Sequence, residues 1–247
     1  MTLQELKQKR EGGFTLVELA IVMIIIGLLI GGILKGQELI ANSQVTATIA
    51  QIKGIDAAVS TFRDKYAALP GDMTGGNTRL QNCDAAPCNA NGDQNGRIDA
   101  AGDPGSATYN GGSEPVRAFS HLAAADLLSG IDANYGTGNP SIGIGVPEAK
   151  VGGGFIGIDY SAAGGLQDAT GARVGHYLVL NGQVAAVSDA SASLAPSRAG
   201  QIDRKLDDGN ADTGSVRGNS AASCSASGVY SEGADDGRCA MYLRIQG

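Results

Sequence analysis

Gly12-Gly13-Phe14-Thr15-Leu16-Val17-Glu18-Leu19 opens an apolar run that stays almost free of charge until Lys35, and no other segment constrains the fold as strongly. Between Glu18 and Lys35 lie sixteen uncharged residues, Leu19 to Leu34. As a helix they rise about 24 Å, and Phe14 to Val17 bring the length close to that of a bilayer core. Lys7, Lys9 and Arg10 precede the run, and cations on that side favour a cytoplasmic N-terminus. A secretory signal is cut after its apolar region, at a small-residue site. Here the small pair Gly12-Gly13 stands before that region, so a cut between Gly13 and Phe14 would leave the apolar helix in the mature chain. Glu18 is the one acid inside the run. A carboxylate in a membrane segment is costly and marks function by default, although at the helix end it also reaches headgroups and water.

This segment resembles the N-terminus of type IV pilins and type II secretion pseudopilins. The resemblance implies that a prepilin peptidase cleaves after Gly13 and methylates the new terminal Phe14. Glu18 is then the fifth residue after the cut, matching the pilin glutamate that pairs with a neighbouring subunit's free amine. Such a pair removes two costly groups from an apolar filament core at once. The implied protein is a structural filament subunit, not an enzyme. Its implied partners are itself or homologous pilins in a helical filament, the prepilin peptidase, the inner-membrane assembly machinery and, before assembly, membrane lipid. The precursor would sit in the inner membrane with its head in the periplasm, and the filament would be periplasmic or extracellular. The short leader and terminal Phe suit type IVa pilins and pseudopilins. A head this large favours a minor or atypical pilin, with a type II pseudopilin as the alternative and a membrane-tethered binding or adhesion module as the alternative of another class. Related major pilins often carry a proline near the position of Lys35; this chain has none there, which leaves Gly31-Gly32 as the place where the spine could loosen.

The organisation that follows is a leader (1–13), a transmembrane half of a spine helix (14–36), an amphipathic half (37–68) and a head (69–247). In the second half Val45, Ile49, Ile52, Ile55, Val59, Phe62 and Tyr66 recur at three- and four-residue steps between charged residues, a helical stripe. Leu69-Pro70-Gly71-Asp72 stops it. Phe14 to Tyr66 as one helix would measure about 80 Å, and its single stripe calls for a sheet to cover it. The expected class is therefore α+β: a long N-terminal helix packed on a small antiparallel head with long loops. Within the head, Pro115 to Leu128 and Pro196 to Leu206 read as helices, and Val151 to Tyr160 and Val174 to Val187 as strands. Asn181-Gly182 suits a type I′ hairpin turn, and Cys239 to Ile245 reads as an edge strand. His121 and His176 stand alone and read as structural.

A net charge of -7 with 4% aromatics makes a poor nucleic-acid binder, since phosphate contact needs clustered Lys and Arg. The four cysteines, Cys83, Cys88, Cys224 and Cys239, allow three pairings. Two sequence-local bridges, Cys83–Cys88 and Cys224–Cys239, are preferred over free thiols or a zinc site, because neither pair has the C-x-x-C spacing. Asn91-Gly92-Asp93-Gln94-Asn95-Gly96-Arg97-Ile98-Asp99 places oxygen side chains at alternate positions with Gly at the sixth, as in an EF-hand-like loop. Asn91, Asp93, Asn95, Asp99 and the Arg97 carbonyl are candidate Ca2+ ligands. Gly102 stands where the bidentate acid belongs, and Asp103 is the candidate substitute. Asp203, Asp207, Asp208 and Asp212 form a second acidic stretch, read as a helix end and turn.

Overall fold

The computed structural model describes residues 13–99, 109–132, 135–136, 138–162, 171–184, 192–234 and 238–245. Helix α1 runs Leu16–Tyr66 and passes unbroken through Gly27, Gly31, Gly32 and Gly36. By its contacts the chain divides into one unit ending at Ser43 and a second, Gln44–Gly247. In the first unit the large apolar side chains are exposed, from Leu16 at 90% to Ile40 at 62%. Among the described residues this is the one helix long and apolar enough to cross a membrane.

The second unit begins with the amphipathic part of α1. Val45, Thr48, Ile52, Ile55, Ala58, Val59 and Phe62 are buried, and Ile49 and Tyr66 pack against the same core. The helix ends where Ala67 turns left-handed, at φ +50°, with its N–H bonded back to the Arg63 carbonyl at 2.8 Å. A short helix α2, Gly76–Arg79, follows in the loop-rich stretch. Helix α3 spans Glu114–Ala124, shorter than the expected 115–128. Asp126 adopts φ +59°, and Leu127 and Leu128 both donate to the Leu122 carbonyl, which closes the helix early. Helix α4, Pro196–Leu206, has the expected bounds, with Pro at its first position where its missing N–H costs nothing.

Among the described residues, eight strands follow one another as β1 (Ser141–Ile142), β2 (Gly145–Val146), β3 (Phe155–Ser161), β4 (Gly175–Asn181), β5 (Val216–Gly218), β6 (Ser225–Ala226), β7 (Val229–Tyr230) and β8 (Met241–Arg244). The main sheet has the order β3-β4-β8-β5 and is antiparallel throughout, with Ile158 opposite Leu178, Leu178 opposite Leu243 and Val216 opposite Leu243. Two expectations are corrected by this order. The C-terminal strand is interior, because Val216–Gly218 pairs on its far side; those three residues carry too short a pattern to read as a strand. Asn181-Gly182 does not turn a hairpin among the described residues. Both edges of β4 are already taken, by β3 and β8, so a returning strand would have nothing to pair with. Residues 185–187 of that expected strand lie outside the described residues. Val151 to Gly154 is not strand either, since Gly152 and Gly153 at φ +76° and +64° bend the chain into β3.

Both disulfides form in the local pairing, Cys83–Cys88 and Cys224–Cys239. Behind the first lies His121, wholly buried. Its Nδ1 accepts the Gly71 N–H at 2.9 Å, so Nε2 carries the proton and donates it to the Cys88 carbonyl at 2.9 Å. Its ring stacks on Phe62 at 6.1 Å. One neutral imidazole thus ties α3 to α1, to the turn after α1 and to the disulfide. His176 is structural as well, its Nε2 accepting the Ile98 N–H at 3.1 Å.

Burial pushes the His121 imidazole down to about 4 from an ordinary 6.5, with Arg117 adding repulsion and the Cys88 bond opposing both. Protonation therefore favours the unfolded chain. The contribution is complete above pH 6.5 and lost as pH falls toward 4. Denaturant unfolding at neutral pH and at pH 4 should differ by up to about 3 kcal/mol from this group, and His121→Gln should lack that component of the pH dependence.

Candidate functional site

The N-terminal candidate residues are built on the first turn of α1. Thr15 precedes the helix, and Glu18 is its third residue. The Glu18 N–H donates to Thr15 Oγ1 at 3.2 Å, while Glu18 Oε2 accepts the Thr15 N–H and the Thr15 hydroxyl, each at 2.9 Å. This is a capping box, in which the two residues satisfy each other's unpaired helix-end groups. Thr15-x-x-Glu18 before an apolar run is its sequence signature, and it gives Glu18 a local partner that the resemblance alone does not supply. Gly13 and Phe14 precede the helix and are exposed.

The second candidate lies in the head. Of the expected cation ligands, Asp93 and Asn95 lie in one loop. Asp93 Oδ1 accepts the Asn95 N–H at 3.0 Å, and Asn95 Oδ1 accepts the Arg97 N–H at 2.7 Å. Asn91 Oδ1 accepts the Gly75 N–H at 2.9 Å, at the start of α2. The Arg97 guanidinium lies 4.9 Å from the Tyr160 ring centre. Asp99 is buried, and desolvation together with Asp93 raises its carboxyl above the ordinary range. Asp103 lies outside the described residues.

The sequence reading missed two acids that complete this cluster. Asp72 accepts the Asn95 and Gly96 amides at 3.1 and 3.0 Å. Glu114, at the start of α3, accepts the Asp93 N–H at 3.0 Å and also takes up the Asp99 N–H. Carboxylate oxygens of Asp72, Asp93 and Glu114 fall within 4.8 Å of one another. Close approach is secured at Gly92, where any side chain would enter the Asp72 backbone. Desolvation, with Asp93 and Asp72 nearby, pushes Glu114 up to about 7; desolvation also leads the rise at Asp72. Arg117 offsets some of this charge, with a guanidinium nitrogen 4.0 Å from Glu114, but its other bonds go to the Gly71 and Gly112 carbonyls. An all-oxygen set carrying this much negative charge suits a hard cation such as Ca2+. No signal in the sequence spacing could find Asp72 or Glu114, since they stand about twenty residues to either side of the loop.

The second acidic stretch is occupied with its own backbone. Asp203, buried at the end of α4, accepts the Tyr230 hydroxyl at 2.8 Å and the Gly209 N–H at 3.1 Å. Asp207 accepts from Ser215 and Val216, and Asp208 from Asn210 and Thr213. These acids shape the turn that leads into β5. Cys83, Cys88 and His121 also lie close together, but the sulfurs are bonded to each other and both ring nitrogens are engaged. That group is a clasp.

No curated protein and no solved structure matches this chain. A family model described as the prokaryotic N-terminal methylation motif matches residues 8–34, which take in Lys9 and Arg10 of the leader, Gly13, Phe14, the capping box and the apolar run to Leu34. The chain therefore carries a prokaryotic N-terminal methylation motif, the segment characteristic of type IV pilins and pseudopilins, on a long apolar helix ahead of an α+β head.

Proposed function

We propose that this chain is the precursor of a structural subunit of a type IV pilus-like filament, a minor or atypical pilin. A prepilin peptidase cuts it between Gly13 and Phe14, and it polymerises through its N-terminal helix. The observation that carries this reading is the methylation motif at residues 8–34 on a helix whose apolar side chains from Leu16 to Ile40 are all exposed. Such a surface needs lipid before assembly and neighbouring subunits after it. The precursor is held in the inner membrane with its head in the periplasm. A second reading, a type II pseudopilin, is favoured by the oxygen-lined acidic cluster, because a bound cation suits that class. Shearing cells and probing both the medium and the periplasm separates an extracellular pilus from a periplasmic filament.

Intact mass of the chain from cells tests the processing. Loss of Met1 to Gly13, one added methyl and a gain of four hydrogens on reduction are expected; an uncut chain overturns the proposal. Assembly rests on the charge of Glu18. Glu18→Gln keeps a side chain that a capping box accepts yet removes the negative charge. Sedimentable filaments should vanish in Glu18→Gln and persist in Thr15→Ala, which breaks only the cap. The reverse pattern would make capping, not interchain pairing, the role of Glu18.

The acidic cluster is proposed to hold Ca2+ through Asp72, Asp93 and Glu114, with Asn95 and Asp99 in support. Saturating Ca2+ should raise the melting temperature of the full chain over EDTA by a few degrees, roughly 2–4 °C per kcal/mol at this size. Asp93→Asn should abolish the shift. An unchanged melting temperature would remove the cation and leave the filament reading standing.

A further inference from the structure

Where α1 ends, the head opens into a cleft of about 440 Å³, within the range of sites that enclose small ligands. Its lining is divided by chemistry. Arg63 and Arg79 stand on it as cations, Asp72 and Gln94 as acceptors, and Leu69 and Met73 as apolar surface. Among the described residues, neither arginine has a carboxylate partner. Arg79 is nonetheless fixed in place, because one of its terminal nitrogens donates to the Tyr66 carbonyl. That bond caps the end of α1 and leaves the rest of the guanidinium for another acceptor. Gln94 spends its amide nitrogen on Thr74, so its oxygen remains as an acceptor. Asp72 accepts two backbone amides from the adjoining loop, and a carboxylate offers about four acceptor positions.

We propose that this cleft binds a short peptide by its free ends: the terminal carboxylate on Arg63 and Arg79, the terminal amine toward Asp72 and Gln94, and a small side chain over Leu69 and Met73. A dianion such as phosphate suits the site poorly, because Asp72 repels it. A neutral apolar ligand would leave two guanidinium groups without a new partner. A zwitterion matches both signs, and guanidinium forks pair with carboxylates in directional, charge-assisted bonds. Arg79 is held before the ligand arrives, so less ordering cost falls on binding.

Calorimetric titration of the full chain in detergent micelles with trialanine tests this. One saturable site is expected, with the C-terminally amidated peptide and the N-acetylated peptide each bound about tenfold more weakly, a tenfold change being one step of the affinity scale. Arg63→Gln should weaken trialanine by a similar factor at an unchanged melting temperature, since the Arg63 side chain makes no hydrogen bond or ion pair among the described residues and its carbonyl bond to Ala67 is kept. Absence of saturable binding would overturn the proposal. Equal affinity for trialanine and its amide would do the same without any variant. Either failure leaves the filament reading untouched, because every residue lining the cleft lies beyond the apolar half of α1, in the unit that begins at Gln44.

Discussion

The stretch from Leu69 to Asp99 has little apolar content with which to hold itself, and one buried neutral imidazole fixes where it starts. His121 can do this because its two nitrogens face groups of opposite character, the Gly71 N–H and the Cys88 carbonyl. Protonation would turn Nδ1 into a donor and break its bond from the Gly71 N–H, so the residue must stay neutral, and burial against Phe62 keeps it so. Gly76 is part of the same arrangement. A side chain there would press on Cys88, the Cys83 sulfur and the imidazole together. The disulfide closes a loop of only five residues, too few to constrain much of the unfolded chain. Its value lies in presenting the Cys88 carbonyl to the ring.

Once that start is fixed, the acidic loop follows from a set of long-range acceptors. Asp72 sits one residue beyond Gly71 and reaches Asn95 and Gly96. Glu114, one helical turn before Arg117, reaches Asp93 and Asp99. Backbone amides of a loop without regular structure are thereby satisfied by carboxylates from both sides. The arrangement answers the demand that buried amides find partners, but it gathers negative charge where water is scarce. Asp72 faces two ways: its amide partners lie in the acidic loop, and its flank lines the cleft with Arg63 and Arg79. The cation proposed for the loop and the peptide proposed for the cleft therefore share a wall.

In the N-terminal unit the same economy of carboxylates appears in Glu18. It satisfies the first amides of its own helix through Thr15, and in a filament it would face a neighbour's amine. The capping box holds the carboxylate on the Thr15 N–H and hydroxyl, one residue along the chain from Phe14. A glutamine could keep the first role and not the second.

Features set by neighbours along the chain could be read before folding was considered. The apolar run, the stripe from Val45 to Tyr66, the Pro196–Leu206 helix and the two local cysteine pairs all depend on spacing within a few turns or a short loop, and spacing is written in the residues. The methylation motif is local in the same way. Strand partners were not available by that route. Whether β8 is an edge depends on Val216–Gly218 lying beside it, and whether Asn181-Gly182 can turn a hairpin depends on β4 having a free edge. The cation cluster shows the same division. Asp93 and Asn95 belong to a periodic motif, but Asp72 and Glu114 join them only through contacts between segments far apart in the chain. Local periodicity records which face a residue turns; which groups meet across space is fixed by packing, and packing is a property of the whole fold.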